Sequence, residues 1–193
     1  INGATYYFDN NGVMKTGWTL IEGHWNYFAS SGAMKTGWVK DKDTWYYLDK
    51  EGVMLTGLQE IDDSRYYLNS SGAMQTGWKW LDNHYYYFTS SGAMKTGWYK
   101  VSDAYHYFGS SGAAVKGWQK IGGYWYYFDK MGVMLTGDQV LDGKSYYLGA
   151  ANDGAMKTGW QIVGAIYESN KKIADRWGYY GADGAALKNN WLK

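Results

Sequence analysis

The chain has 193 residues with 21 Tyr, 12 Trp and 27 Gly but no Pro, a composition unlike that of an ordinary globular enzyme. Its 19 Lys and Arg nearly balance 18 Asp and Glu, and a net charge of +1 argues against binding a nucleic acid by bulk electrostatics. The lack of Cys excludes disulfides and thiol chemistry, and no apolar run is long enough for membrane insertion.

One short stretch recurs along the chain at a fixed spacing. A clear copy is Gly-Ala-Met-Lys-Thr-Gly-Trp at 32–38, followed by Trp-Tyr-Tyr-Leu at 45–48. A shift of 20 residues aligns a first column of glycines: Gly12, Gly32, Gly52, Gly72, Gly92, Gly112 and Gly132. Gly154 continues this column after a spacing of 22 residues, and Gly184 after a further 30. A second glycine follows five residues later in most copies. Such a period is typical of an array whose units bury their apolar faces against their neighbours.

Each copy predicts a short β-hairpin. Residues 18–21 and 24–28 are rich in the aromatic and β-branched side chains that favour strands, and Glu22-Gly23 lies between them. The same slot in other copies holds residues that tolerate the positive φ of a two-residue turn: Lys42-Asp43, Asp62-Asp63, Asp82-Asn83, Ser102-Asp103, Gly122-Gly123 and Asp142-Gly143.

A turn at 22–23 fixes which side chains share a face. It places Leu20 opposite Trp25 and Trp18 opposite Tyr27, so these four residues lie on one face of the hairpin. The intervening positions, such as Tyr46 in the next copy, take the other face and are expected to be core.

The predicted fold is all-β, a β-solenoid of about eight stacked 20-residue hairpin repeats, because isolated hairpins are marginal in water. Residues 1–167 are regular, and 168–193 are predicted to be a divergent terminal repeat that caps the array. Residues 1–8 align with 21–28, the middle of a copy. The chain is therefore expected to be a fragment that lacks an N-terminal partner domain.

The repeat resembles a known family. Gly17-Trp18, the segment Trp-Asn-Tyr-Phe at 25–28 and the connection at 32–38 resemble the choline-binding repeat of pneumococcal and related surface proteins. The resemblance covers residues 1–167 well and the tail loosely. It implies that choline or phosphocholine is caged by two aromatics of one hairpin, a third from the next and a nearby Met. A trimethylammonium group has a charge but no N–H donor, so ring faces suit it, at about 0.5–2 kcal/mol each.

The resemblance implies the following cages, in chain order: Trp18, Trp25 and Tyr47 with Met34; Trp38, Trp45 and Tyr67 with Met54; Trp78, Tyr85 and Tyr107; Trp98, Tyr105 and Tyr127; Trp118, Trp125 and Tyr147; and Trp160 with Tyr167. Two copies are expected to fail, since Leu58 with Arg65 and Asp138 with Ser145 replace the aromatic pair. Five or six working sites are expected.

The implied function is attachment. The chain is interpreted as a non-catalytic module at the extracellular bacterial cell surface that binds choline-decorated teichoic or lipoteichoic acid, with no cofactor or metal. Several weak cages facing a polymer raise the apparent affinity by avidity. Homodimerisation through terminal hairpins is compatible with this function. The missing domain of the parent protein is expected to be a wall hydrolase or an adhesin.

The sequence contains little that indicates an enzyme. The three histidines, His24, His84 and His106, lie at different points of the repeat, no His/Asp/Glu metal spacing occurs, and no carboxylate pair marks a glycosidase. A carbohydrate-binding array remains an alternative, because glucan-binding repeats of streptococcal glucosyltransferases and repeats of clostridial toxins share the Tyr-Tyr-Phe and Gly pattern. A structural spacer or dimerisation stalk is a third hypothesis, although it leaves the Trp pairs unexplained.

Overall fold

The computed structural model describes residues 3–187, and it confirms the prediction of an all-β repeat fold. These residues form eight antiparallel hairpins, each a separate two-stranded sheet. The strands in chain order are β1 (Gly17–Ile21), β2 (His24–Phe28), β3 (Gly37–Asp41), β4 (Thr44–Leu48), β5 (Gly57–Ile61), β6 (Ser64–Leu68), β7 (Gly77–Leu81), β8 (His84–Phe88), β9 (Gly97–Val101), β10 (Ala104–Phe108), β11 (Gly117–Ile121), β12 (Tyr124–Phe128), β13 (Asp138–Leu141), β14 (Lys144–Tyr147), β15 (Gly159–Glu168) and β16 (Lys171–Tyr180). Within residues 3–187 there is no helix capable of spanning a membrane.

The predicted turn and register are confirmed. Glu22 and Gly23 have φ of 51° and 83°, the left-handed backbone of a two-residue hairpin turn. Positive φ recurs at residues of the other predicted slots: Lys42, Asp62, Asp63, Asp82, Asn83, Ser102, Gly122, Gly123, Asp142 and Gly143. In the first hairpin Trp18 lies opposite Tyr27 and Leu20 opposite Trp25.

Backbone hydrogen bonds from each connection join one hairpin to the next. The Leu55 N–H donates to the carbonyl of Tyr47, in the hairpin just completed, at 2.9 Å. The Met54 N–H donates to the carbonyl of Trp25, one hairpin earlier, at 2.8 Å. Two adjacent residues thus form hydrogen bonds to two successive hairpins. These bonds satisfy backbone groups that an isolated hairpin would leave exposed at its edges.

The core is a series of side chains at, or just after, the ends of the second strands. Seven of them are at most 1% exposed: Phe28, Leu48, Leu68, Phe88, Phe108, Phe128 and Leu148. Burying each such side chain stabilises the fold by about 1.5–3 kcal/mol. The repeat contributes one such residue per hairpin, so the hydrophobic core grows with the number of repeats rather than around one centre.

The first glycine column leaves room for the methionines. Gly72 has φ of +79°, and a Cβ at this position would overlap the Sδ, Cε and Cγ atoms of Met54. The same overlap would occur between Gly52 and Met34. Glycine is therefore required for both its backbone conformation and the missing side chain.

The chain forms two compact units. The first extends to Leu81 and includes Tyr86–Lys95, and the second includes Asp82–Tyr85 and continues from Thr96. The last hairpin of the second unit is twice as long as a regular one, with ten residues in each of β15 and β16 and two register shifts. The proposed division into 1–167 and 168–193 stays a prediction, and its last residues, 188–193, lie outside the described part.

Candidate ligand-binding site

The first aromatic cavity is built from three successive repeats. Two indoles of one hairpin, a tyrosine of the next hairpin, a methionine of the following connection and two serines of the next loop line about 360 Å³: Trp18, Trp25, Tyr46, Met54, Ser70 and Ser71. We call this cavity the Trp18 cage. All of its lining residues belong to the first compact unit.

Ring contacts and a hydrogen bond hold Trp18 in place. Its indole meets the Tyr46 ring edge to face, with centroids 4.7 Å apart and planes at 66°. On its other side Tyr27 lies 5.0 Å away at 71°. The indole Nε1–H donates to a carboxylate oxygen of Asp41 at 3.1 Å. Such edge-to-face pairs are favoured by the ring quadrupoles and leave ring faces available to a ligand.

A second cavity repeats this arrangement 20 residues later along the chain. Its volume is about 340 Å³ and its lining residues are Trp38, Trp45, Tyr66, Met74, Ser90 and Ser91. In this Trp38 cage the two indoles are nearly perpendicular, with centroids 6.3 Å apart at 89°. The Tyr66 ring lies 4.9 Å from Trp38 at 68°. Three aromatic rings therefore face one space from different directions.

A third cavity, the Trp118 cage, lies in the second unit. Its volume is about 370 Å³, and its lining residues are Trp118, Trp125, Tyr146, Met156, Ala182 and Asp183. The Trp118 and Tyr146 rings are 4.9 Å apart at 64°, as in the other two cages. The loop that supplies two serines in the first unit supplies an alanine and an aspartate here.

A fourth set of residues has the same arrangement but with a lysine among the rings. Trp98 and Tyr126 are 4.9 Å apart at 70°, and the Met134 N–H donates to the carbonyl of Tyr105 at 2.8 Å. The Lys100 ammonium lies 5.4 Å from the centroid of the Tyr105 ring. The protein thus places its own cation on one of the rings of this set.

In the three cages the tyrosine that lines the cavity, Tyr46, Tyr66 or Tyr146, immediately precedes the predicted one. The predicted residues were Tyr47, Tyr67, Tyr107, Tyr127 and Tyr147. Tyr47 instead lies opposite Trp38 in its own hairpin, with the rings 5.1 Å apart. Tyr46, the neighbouring residue on the opposite face of that strand, is the one that contacts Trp18. The expectation that Tyr46 is simply core is therefore wrong.

The methionine assignment differs by one repeat. Met34 was predicted beside Trp18 and Met54 beside Trp38, whereas Met54 lines the Trp18 cage and Met74 the Trp38 cage. The cause is the backbone hydrogen bond from the Met54 N–H to the carbonyl of Trp25, which places the methionine beside the earlier tryptophan pair. The N–H of Met34 makes the corresponding bond to Thr5.

The predicted set of Trp78, Tyr85 and Tyr107 is divided between the units. Trp78 packs on Tyr87 in the first unit, with centroids 5.3 Å apart. In the second unit, Tyr107 packs on Trp98 at 5.2 Å. The Tyr85 hydroxyl donates to the sulfur of Met131 at 3.9 Å, and the Lys116 ammonium lies 5.4 Å from its ring centroid. This set stays a prediction.

The last predicted pair, Trp160 with Tyr167, is not brought together as a cage. Trp160 lies opposite Tyr179, with the rings 5.2 Å apart. Tyr167 pairs with Lys172 near the far end of the long hairpin and is 64% exposed. The position that Trp25 holds in the first hairpin is taken here by Trp177, which lies opposite Ile162.

The two copies expected to fail differ in what surrounds them. Beside Leu58 and Arg65, the other walls have their usual counterparts, because Tyr86 corresponds to Tyr46 and the Met94 N–H donates to the carbonyl of Arg65 at 2.8 Å.

Asp138, in the other failing copy, contacts the last hairpin instead. The Tyr180 hydroxyl donates to one of its carboxylate oxygens at 3.3 Å, and Arg176 lies 3.9 Å from the other. Burial, together with the charge and hydrogen bond of Asp138, raises the pKa of Tyr180 to about 12. The acidic residue that replaces a tryptophan therefore connects two hairpins.

The titratable side chains of the described residues form no metal-ligand cluster, and one of them, His106, is buried. Residues 3–187 contain no group of three His, Cys, Asp or Glu side chains arranged to hold a metal ion. His106 is buried and holds, in β10, the position that Tyr46 holds in β4; burial lowers its pKa. The polar residues that sequence reasoning missed are the rim serines, although Ser-Ser-Gly recurs at 30–32, 70–72, 90–92 and 110–112.

The match to a family model and the similar solved structures indicate one family. The model of the choline-binding repeat matches residues 1–36, 15–56, 55–96, 75–116 and 115–160. No curated protein sequence matches the chain. The structure of CbpJ from Streptococcus pneumoniae TIGR4 is 34% identical, with a TM-score of 0.83 over 98% of this chain and 72% of that protein.

A second similar structure is choline binding protein F from Streptococcus pneumoniae. It is 35% identical, with a TM-score of 0.78 over 95% of this chain, and the chain spans 61% of its length. The structure of CbpF in complex with ipratropium is 33% identical, with a TM-score of 0.74 over 95% of this chain and 62% of that one.

Proposed function

We propose that this chain, which belongs to the choline-binding repeat family, binds choline groups of teichoic or lipoteichoic acid in its aromatic cages and so attaches to the bacterial cell surface. The observation that carries the proposal is the recurrence of one arrangement, two indoles, a phenol ring and a methionine, in three cavities. On this proposal the module is non-catalytic, and any activity belongs to other parts of the parent protein.

The chemistry of the walls suits a quaternary ammonium. Its positive charge is spread over methyl groups that cannot donate hydrogen bonds, so ring faces attract it and methionine contacts its apolar surface. Ser90 and Ser91, at the rim of the Trp38 cage, offer hydroxyls to a phosphate joined to the choline. The complex of CbpF with ipratropium supports the proposal, since ipratropium is also a quaternary ammonium compound.

Several weak cages provide the attachment. A ring contributes about 0.5–2 kcal/mol to holding a cation, so one open cage with three rings binds weakly. A polymer that carries many choline groups engages several cages of one chain, and linking these events raises the apparent affinity by orders of magnitude. The protein is accordingly expected to be released from such a polymer by free choline.

The test is a titration of the full chain labelled with 5-fluorotryptophan, followed by ¹⁹F NMR. Choline chloride is the ligand, and dextran and galactose are the controls. We expect saturable shifts of several tryptophan signals with choline alone. Tyr46→Ala should abolish the response of Trp18 and Trp25, whereas Tyr124→Ala, at a 63% exposed position outside the cages, should leave it intact.

Two outcomes would overturn the proposal. Signals that shift with dextran and remain unchanged with choline would make the chain a carbohydrate-binding array. Signals that shift with none of the three ligands would indicate that the chain is a structural spacer. A response of Trp18 that survives Tyr46→Ala and disappears in Tyr47→Ala would return the third wall to the residue first predicted from the sequence.

A further inference from the structure

We propose that Asp183 makes the Trp118 cage selective for choline over phosphocholine, while the Trp38 cage accepts both. This inference rests on the proposed function, because it concerns which choline-bearing ligand each cage prefers. The cages would then form two classes within one chain, distinguished by the residue that precedes the glycine of the first column, Ser91 before Gly92 and Asp183 before Gly184.

The two cages are closely matched apart from their rims. Both have two tryptophans, a tyrosine and a methionine, and their volumes are about 340 and 370 Å³. A lysine lies opposite the second tryptophan in each, Lys40 opposite Trp45 and Lys120 opposite Trp125. Each cage thus has one lysine opposite its second tryptophan, although Lys40 also lies 3.9 Å from Asp43.

The rims differ in charge at one equivalent position. Ser91 precedes Gly92, which leaves room for Met74, and Asp183 precedes Gly184, which leaves room for Met156. Both residues line their cavities. A neutral hydroxyl that can bond to a phosphate is thus replaced by a carboxylate that can only accept hydrogen bonds.

Asp183 is held in its charged form. One carboxylate oxygen accepts the Ala185 N–H at 3.0 Å, and the other lies 3.4 Å from the Lys144 ammonium. The bond from Ala185, with a smaller contribution from Lys144, lowers the pKa of Asp183. The side chains of Asp183 and Lys144 are each 60% exposed, and an exposed ion pair of this kind is weak and easily rearranged. Lys144 therefore reduces the field of the carboxylate without cancelling it.

The carboxylate acts in opposite directions on the two ligands. It attracts the ammonium of choline, and it repels the phosphate that phosphocholine carries a few bonds away. Two unit charges about 4 Å apart in a water-like medium change an equilibrium constant roughly fivefold. We expect the ratio of choline to phosphocholine affinity to be about three- to tenfold higher in the Trp118 cage than in the Trp38 cage.

The experiment compares the two cages within one molecule. The chain labelled with 5-fluorotryptophan is titrated at low ionic strength with choline chloride and, separately, with phosphocholine. Signals of Trp38 and Trp118 are assigned from the Trp38→Phe and Trp118→Phe variants. Asp183→Ser should remove the extra preference of the Trp118 cage, and Ser91→Asp should create it in the Trp38 cage.

Two further measurements separate charge from shape. Lys144→Ala should increase the preference for choline at the Trp118 cage, because it frees the carboxylate. Raising the ionic strength should shrink the difference between the cages, because salt screens exposed charges.

The outcomes distinguish this inference from the proposed function. If no tryptophan signal responds to choline, the proposed function fails. If both cages bind choline with equal preference over phosphocholine, or if Asp183→Ser leaves the ratio unchanged, the role of Asp183 is overturned and the proposed function stands.

Discussion

Replacing Gly72 with alanine tests whether the methionine walls are held by the glycine column. Gly72 has φ of +79°, and its added Cβ would overlap the side chain of Met54. The left-handed backbone costs an L-residue about 1–2 kcal/mol. Forcing an extra methyl group into a packed site costs about 1–3 kcal/mol more. Gly72→Ala should therefore lower the free energy of unfolding by about 2–5 kcal/mol.

Gly77 provides the matched control. It has φ of +70°, and no atom lies within 4 Å of the position that its Cβ would take. Gly77→Ala should consequently cost only the backbone term, about 1–2 kcal/mol. Both variants are compared with the parent chain by urea unfolding monitored by circular dichroism.

A double-mutant cycle isolates the contact between Gly72 and Met54. In a Met54→Ala background the clash disappears, so the added cost of Gly72→Ala should fall by about 1–3 kcal/mol. Gly72→Ala should also weaken choline binding at the Trp18 cage, which Met54 lines. Equal destabilisation by Gly72→Ala and Gly77→Ala, with no coupling to Met54, would refute the packing argument.

Three other predictions follow from the described contacts. Leu58→Trp combined with Arg65→Trp should add one choline-responsive cage, because the tyrosine and methionine walls beside these residues are already present; unchanged stoichiometry by ¹⁹F NMR would contradict this. Burial lowers the pKa of His106 below 6.5, so the unfolded chain takes up its proton first and stability falls as pH drops below 6.5; His106→Asn should flatten this fall in urea titrations, and an unchanged slope would count against it. The pKa of Tyr180 is raised from 10.0 to about 12, so the unfolded chain loses its proton first and stability falls between these pH values; Tyr180→Phe should remove that part of the fall, and a parallel curve would show that Tyr180 does not titrate this way.

The hairpins were predictable because their determinants are local. A two-residue turn such as Glu22-Gly23 requires positive φ, and once the turn is placed the pairing of Trp18 with Tyr27 follows from strand geometry. The tryptophan pairs that line the cavities could therefore be found from one repeat alone.

The third wall depends on how one hairpin meets the next, which no single repeat encodes. Strand residues alternate between faces, so a choice between Tyr46 and Tyr47 is a choice between opposite faces of the hairpin. The spacing of the repeat is identical for both. The hydrogen bond from Met54 to Trp25 likewise spans repeats and shifts the methionine assignment.

The last hairpin was misread for a different reason. Register shifts between Ile162 and Gly164, and between Ile166 and Tyr167, add residues that break the regular count. Counting seven residues on from Trp160, as in the regular copies, leads to Tyr167. The structure places Trp177 at the equivalent position, beyond the turn of a strand pair twice the usual length.

Because each of the three cages is lined by residues of three repeats, a repeat without its own tryptophan pair still contributes residues to the cages of its neighbours. The repeat that contains Leu58 and Arg65 supplies Tyr66 to the Trp38 cage and Ser70 to the Trp18 cage. The hairpin that contains Asp138 supplies Tyr146 to the Trp118 cage. These two repeats therefore supply walls to binding sites whose tryptophans lie in other repeats. Deleting either repeat would remove a wall from a neighbouring cage.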